Sequence, residues 1–304
     1  MGQAILDKRA RDPLASILVG AGVPGLTGRG KVVSSFTGAV NIRHNQGVLI
    51  SIVQDPRAMT YLSVCVPSLF RSKEKSPVPG ERVRFDGHRL ITEDFVVDLR
   101  GRPTWQGTIT LEDVKGFDVS KISPLREALR LKGKDGGFFG VLCDGETGNP
   151  FVRKAREVLS KVRNAASRAE GLSFLSDLVG LGPGSTPSGD DFISGVLLGE
   201  ETLKRLLSPE VKAIADTRGP VIPCPSENEG LWVAVNKTND AGRTLLWQAL
   251  QGRFPNYLIQ ALRSVSESKS KQEIAEAVER AANRGATSGT DALTGFLFSV
   301  EGRL

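Results

Sequence analysis

Two stretches of this chain are near copies of one another. Residues 184–198 read GSTPSGDDFISGVLL and residues 285–298 read GATSGTDALTGFLF. With Pro187 set aside they share the pattern G-x-T-S-G-x-D-x-x-(S/T)-G-x-L. Gly184, Thr186, Ser188, Gly189, Asp191, Ser194 and Gly195 match Gly285, Thr287, Ser288, Gly289, Asp291, Thr294 and Gly295. Each copy has the marks of a helix entrance. Ser188 with Asp191, and Ser288 with Asp291, have the spacing of a capping-box variant, in which the hydroxyl accepts from the backbone three residues on. An aspartate in the first turn is favoured by the helix dipole. On this reading, removing Asp191 costs only about 1 kcal/mol of stability, the scale of a cap. Gly195 and Gly199 lie one turn apart on one face, so another helix can pack closely there.

Around these helices the period of the pattern changes along the chain. Residues 1–30 read as a loose arm, broken by Gly20, Gly22, Pro24, Gly25, Gly28 and Gly30. From Lys31 to about Leu111 short β-branched and aromatic runs predict strands at 32–36, 48–53, 61–66, 82–85, 89–91, 95–99 and 108–111. Turn signals such as Asn45–Gly47, Asp55-Pro56, Pro79-Gly80 and Asp86-Gly87 separate them. Asn41, Arg43 and His44 interrupt the strand pattern and read as a solvent-facing hairpin end. One helix is predicted over 124–131, with Ser123 as N-cap and Pro124 at its first position. Gly133, Gly136, Gly137 and Gly140 read as a flexible connection. Helical periodicity then predicts helices at 152–162, 172–179, 190–207, 210–215, 243–250, 256–264 and 271–283, and from Thr290. The expected class is α+β, a β-barrel or sandwich-like domain followed by a mainly helical one. The expected divisions are an arm at 1–30, a β-rich domain at 31–115, a connecting segment at 116–149 and a helical domain at 150–304.

Composition narrows the function. No run of 18 apolar residues occurs, so no membrane-spanning helix is expected. Asp7, Lys8, Arg9, Arg11 and Asp12 stand where a secretory leader needs an apolar stretch, which points to a cytoplasmic protein. Cys65, Cys143 and Cys224 form no CxxC pair and read as buried free thiols. With only His44 and His88 present, a histidine-rich metal site is excluded and a histidine-based triad is not expected. The net charge of +6 is spread along the chain, with no basic block interleaved with aromatics. Nucleic acid is therefore not the expected partner, whereas a small anionic substrate is.

The polarity of the repeated loops exceeds what capping needs. Gly182 to Asp191 supplies three hydroxyls and two carboxylates; a cap uses one of each. The surplus suits an anion held by N–H groups and hydroxyls at a helix N-terminus. Asp190 and Asp191 would repel a bare anion. They make sense if they orient an amide proton, face a second substrate group, or hold a cation such as Mg²⁺. No other cofactor is indicated, and no Walker A lysine follows the loop. The segment Asn236–Arg243 could be a plain turn with a helix cap, or could bring Thr238 or Lys237 to the same place. The simplest alternative to all of this is two capped helices packed by duplication, with no ligand.

The run Leu181–Gly195 closely resembles the signature of the AllH-like family, departing from it at Ser185, where that family usually has a larger apolar residue. Ser35–Ile42, the Lys237-Thr238 segment and Thr287–Asp291 carry the resemblance further, over most of residues 31–300. The family includes a subunit of the oxamate carbamoyltransferase of anaerobic allantoin degradation. The resemblance implies carbamoyl transfer between a small carboxylate-bearing acceptor and phosphate, with other carbamoyltransferase subunits as partners. Under it, Gly184, Thr186, Ser188, Gly189, Thr238, Thr287, Ser288 and Gly289 bind anionic groups. Asp190, Asp191 and Asp291 are the catalytic candidates, orienting amide protons or a metal. Two other functions fit the same loops: a non-catalytic metabolite-binding or regulatory subunit, and a Mg²⁺-dependent phosphate or nucleotide enzyme.

Overall fold

Among the described residues ten strands, each short except one, hydrogen-bond into a single sheet in the first part of the chain. They are β1 (Leu14–Ala15), β2 (Leu18–Gly20), β3 (Thr27–Phe36), β4 (Ala39–His44), β5 (Leu49–Val53), β6 (Ser63–Cys65), β7 (Arg82–Asp86), β8 (Arg89–Ile91), β9 (Val96–Asp98) and β10 (Thr104–Trp105). The structure is a computed structural model describing residues 14–71, 77–143, 148–207 and 229–301. The chain separates after Gly107 into two units. The sheet is the first of them, in the order β1-β9-β8-β7-β3-β4-β5-β6-β2-β10, curled into a half-barrel.

Alternation is clean in β4 and β7, whereas β5 and β6 are buried along nearly their whole length. In β7, Arg82 and Arg84 are exposed while Val83 and Phe85 are buried; in β4, Val40, Ile42 and His44 point inward and Arg43 outward. His44 therefore belongs to the core, 1% exposed, with its ring edge-on to Phe85 at 4.9 Å. This corrects the reading of Asn41, Arg43 and His44 as a solvent-facing hairpin end. Two outward polar residues and one buried imidazole look like an interruption only when histidine is counted as polar. Asn41 is tied across strands, donating to Ser34 Oγ (3.0 Å) and accepting from Ser51 Oγ (2.7 Å).

The described part of the expected N-terminal arm is ordered in the sheet. β1 runs parallel to β9, and β2 lies between β6 and β10. Residues 1–13 lie outside the described residues. Of the three cysteines, Cys65 is buried as expected, Cys143 is exposed, and Cys224 lies outside the described residues.

The second unit is helical: α1 (Leu111–Val114), α2 (Val119–Lys132), α3 (Pro150–Arg163), α4 (Arg168–Phe174), α5 (Ser188–Leu207), α6 (Glu229–Ala234), α7 (Asp240–Ala249), α8 (Asn256–Glu267), α9 (Lys271–Ala282) and α10 (Ser288–Val300). The expected strand at 108–111 is absent. Thr110 instead caps α1 in a capping box with Asp113, and buried Asp113 accepts from Arg263 of α8 at 2.7 Å. α2 begins before the predicted helix. Asp118, not Ser123, is its N-cap, and Pro124 sits inside the helix. Asp118 accepts from Ser120 N–H at 2.8 Å, so the helix is started before the proline withholds its own donor. The helix expected at 210–215 lies outside the described residues. Among the described residues no helix is long and apolar enough to cross a membrane.

α5 and α10 form the centre of this unit. From Ser188 to Gly199 every residue of α5 is buried, and α10 is nearly as covered. A helix apolar on all sides belongs inside a core. The rings of Phe138, Phe192 and Phe298, and those of Phe117 and Phe296, pack around the pair.

Candidate functional site: two crossed helix entrances

The two copies of the repeat lie side by side, and glycine is the reason they can. A Cβ placed on Gly195 would stand 1.8 Å from the carbonyl oxygen of Ala292, and one placed on Gly295 would stand 2.0 Å from that of Phe192. Further along, Gly199 meets Ser299. Contacts that advance together along both chains mean that α5 and α10 run parallel. Their equivalent glycines touch equivalent positions of the partner helix, so the pair has an approximate two-fold relation. Both N-termini then open at the same end. A second pair of glycines fixes each helix to what precedes it. A Cβ on Gly189 or Gly289 would come within 1.9 Å of the carbonyl oxygen of Leu178 or Ala281 respectively.

The serines do not cap their own helices. Ser188 and Ser288 are the first helical residues, and Thr287, the N-cap of α10, makes no side-chain cap bond. The hydroxyls turn across the pair instead. Ser288 lies close enough to Asp191, and Ser188 to Asp291, to oppose the upward shift of each acid. The capping-box expectation is thus replaced by a crossed arrangement, in which each serine faces the other copy's carboxyl. The scale of a cap no longer describes what Asp191 does.

Three acids gather here, and burial dominates all of them. Asp190 accepts from Gly180 N–H at 2.8 Å and from the Thr238 hydroxyl at 2.5 Å. Burial still pushes its carboxyl up to about 6, against these two donors. Burial also lifts Asp191 well above the usual carboxylate range, with Asp291 and Asp190 adding repulsion. Asp291 is raised by burial too, although Phe138 N–H donates to its Oδ1 at 2.6 Å and Thr287 faces it. Asp191 Oδ2, Asp291 Oδ2 and Ser188 Oγ are buried with no hydrogen bond of proper geometry. Buried polar atoms cost about 1–3 kcal/mol each where nothing satisfies them, so the crossed serine–aspartate contacts leave this cluster polar but incompletely paired.

Of the residues singled out in the sequence, Asp190, Asp191, Asp291, Ser188, Ser288, Thr287 and Thr238 come together. Gly189 and Gly289 are present as packing contacts, and their N–H groups already donate to the carbonyls of Leu181 and Arg284. Gly184 and Thr186 stay in the outer loop; Gly184 is exposed and Thr186 partly buried. Lys237 is exposed, away from the acids that Thr238 reaches.

Several participants carry no motif. Gly242 of α7 abuts Asp190, since a Cβ there would lie 1.9 Å from Oδ2. Gly137, read as part of a flexible connection, presses on Asp291, and the loop is fastened there by Phe138 N–H and by Lys134 N–H donating to Thr290 Oγ1 at 3.0 Å. The run of glycines was the available signal, but it marks close approach here. Tyr257 of α8 is raised by desolvation and then by Asp191, with Arg284 opposing. Exposed Arg284 and the Lys134 amine, which donates to Gly285 O at 3.2 Å, place positive charge beside the second loop. Among the described residues no group of three or more His, Cys, Asp or Glu is arranged to hold a metal ion.

Comparison with known proteins falls on this same region. Residues 178–300 match the family model of the oxamate carbamoyltransferase subunit AllH. The match contains both helix entrances, Thr238 and Tyr257. It begins after Ser35–Ile42, so that segment lies outside the matched AllH region. Neither a curated protein nor a solved structure matches the chain.

The state of Asp190 can be read in stability. Its carboxyl is raised from 3.8 to about 6, so the neutral form is the one folding prefers. The contribution is complete below the ordinary value and is lost as pH rises through about 6. Asp190→Asn keeps an acceptor for Gly180 and removes the titration. Its melting temperature relative to wild type should climb between about pH 4 and pH 7 and then level off. A difference that does not change over that range would show that Asp190 is not held in this way.

Proposed function

We propose that this chain is a carbamoyltransferase subunit of the oxamate carbamoyltransferase type, and that its crossed helix entrances form the substrate site. The observation that carries this reading is the set of buried unpaired atoms, Ser188 Oγ, Asp191 Oδ2 and Asp291 Oδ2, lying within the region matched by the AllH model. Two parallel helix N-termini supply partial positive charge at one point. Arg284 and Lys134 add full charges beside it. This suits a small carboxylate or phosphate compound, and the turns at 183–185 and 284–286 that lead into the two helices are exposed.

The chemistry asks for little more. In carbamoyl transfer from a phosphate, the acceptor nitrogen attacks the carbamoyl carbon. The new N–C bond forms, the C–O bond to phosphate breaks, and phosphate leaves with the electron pair. The acceptor nitrogen must shed a proton, and the carbamoyl oxygen must be stabilised while it carries charge. Two coupled carboxyls divide these tasks: the ionised member takes the proton and the protonated member donates to oxygen. The Mg²⁺ reading draws less support, because both oxygens of Asp190 are already engaged by Gly180 and Thr238.

Thermal-shift titration tests the reading. Carbamoyl phosphate or oxamate should stabilise the chain, alone or with its partner subunits, without added Mg²⁺. Stabilisation only by ATP with Mg²⁺ would overturn the proposal in favour of a nucleotide enzyme. Stabilisation without carbamoyl transfer in the complete assembly would assign a regulatory subunit instead.

A further inference from the structure

The half-barrel lies outside the matched region, and its outward face has a feature the carbamoyl-transfer reading does not use. On three adjacent strands the register sets cation against cation. Arg29 of β3 is directly opposite Arg84 of β7, and Lys31 is opposite Arg82 of β7 on one side and Arg43 of β4 on the other. All five side chains are exposed. Like charges placed directly across a sheet destabilise it. Arg29, Lys31, Arg82 and Arg84 form no ion pair among the described residues. Nearby Asp86 is already held by Arg89 at 2.7 Å. At Arg29, Lys31, Arg82 and Arg84 this cross-strand repulsion works against stability.

We propose that this outer face of β4, β3 and β7 is a docking surface for a carboxylate-rich face of another polypeptide. Charge complementarity sets the sign of the partner, and shape sets its class. The inward side chains fill the curl of the half-barrel, so the cationic face is its convex side. A rigid duplex meets a convex face along a line and reaches few phosphates, whereas a protein surface can be concave and meet the whole grid. None of the five residues of the grid is aromatic; the exposed Phe36 lies beyond it, at the far end of β3 opposite Ala39. Cross-strand neighbours about 5 Å apart and next-nearest residues about 7 Å apart along each strand match carboxylates presented by a helix or strand. The proposal is independent of what the helical unit catalyses.

The probe is poly-L-glutamate, compared with a mixed-sequence DNA duplex, using the full chain at low and high salt. Wild type should bind poly-L-glutamate in a salt-sensitive way. The double variant Lys31→Glu/Arg84→Glu should lose at least about tenfold in affinity. Its melting temperature should hold or rise, because the new carboxylate on β7 would face Arg29 and the one on β3 would face Arg82 and Arg43. Binding unchanged in that variant would overturn the assignment of this face. Duplex binding through the same residues, with poly-L-glutamate ignored, would overturn the assignment of a protein partner.

Discussion

Gly195→Val should unfold the helical unit or leave it with a small fraction of its stability. The added Cβ would be 1.8 Å from the Ala292 carbonyl oxygen, and that atom is backbone, which cannot swing aside. The two helices would have to part. Overpacking a core costs about 1–3 kcal/mol when side chains can adjust. Here they cannot, so a loss of at least about 3 kcal/mol is expected, a large part of a typical domain's reserve. Gly199→Ala gives a milder comparison, because its Cβ would stand 2.7 Å from Ser299 Cβ and 3.2 Å from the Phe296 carbonyl oxygen, a smaller overlap that a slight shift of the helices relieves. Urea unfolding of both variants measures the difference. Near-wild-type stability for Gly195→Val would mean that α5 and α10 are not in close contact, and the crossed site would go with it.

That contact could not be foreseen from the repeat. The spacing of Gly195 and Gly199 announces a close neighbour but does not say which helix it is. Serine and aspartate three residues apart predict a bond within one helix. The same spacing, duplicated in a parallel pair, puts each serine across from the other copy's acid. One local pattern serves two geometries, and only the packing chooses between them. The half-barrel was readable where alternation was clean, as in β7, and unreadable where glycines surround strands of two or three residues, as in β1 and β2. Thr108–Leu111 has a β-like pattern because Ile109 is a core residue; Thr110 and Asp113 override it by closing a capping box. At the site, the acids and hydroxyls were visible as surplus polarity. Gly180, Gly242, Phe138 and Tyr257 were not, because they act through backbone N–H groups, missing side chains or burial, none of which leaves a motif.

Asp191→Asn and Asp291→Asn should each lower the kcat of carbamoyl transfer by about 10²–10⁴-fold in the assembled enzyme, the range expected for a general acid or base. KM for the acceptor should change little, since anion binding rests on the helix ends and the nearby cations. Neither variant should destabilise the fold at neutral pH. Asparagine keeps the size of the side chain and the acceptor for Phe138, and it removes a charge that burial already penalises. The decisive measurement is the double variant. Two carboxyls that divide one proton act as a unit, so removing the second after the first should cost almost nothing more. Losses that multiply would mean two independent acids and no coupled pair. Single variants that stay folded and fully active would show that the atoms left unpaired between α5 and α10 take no part in the reaction.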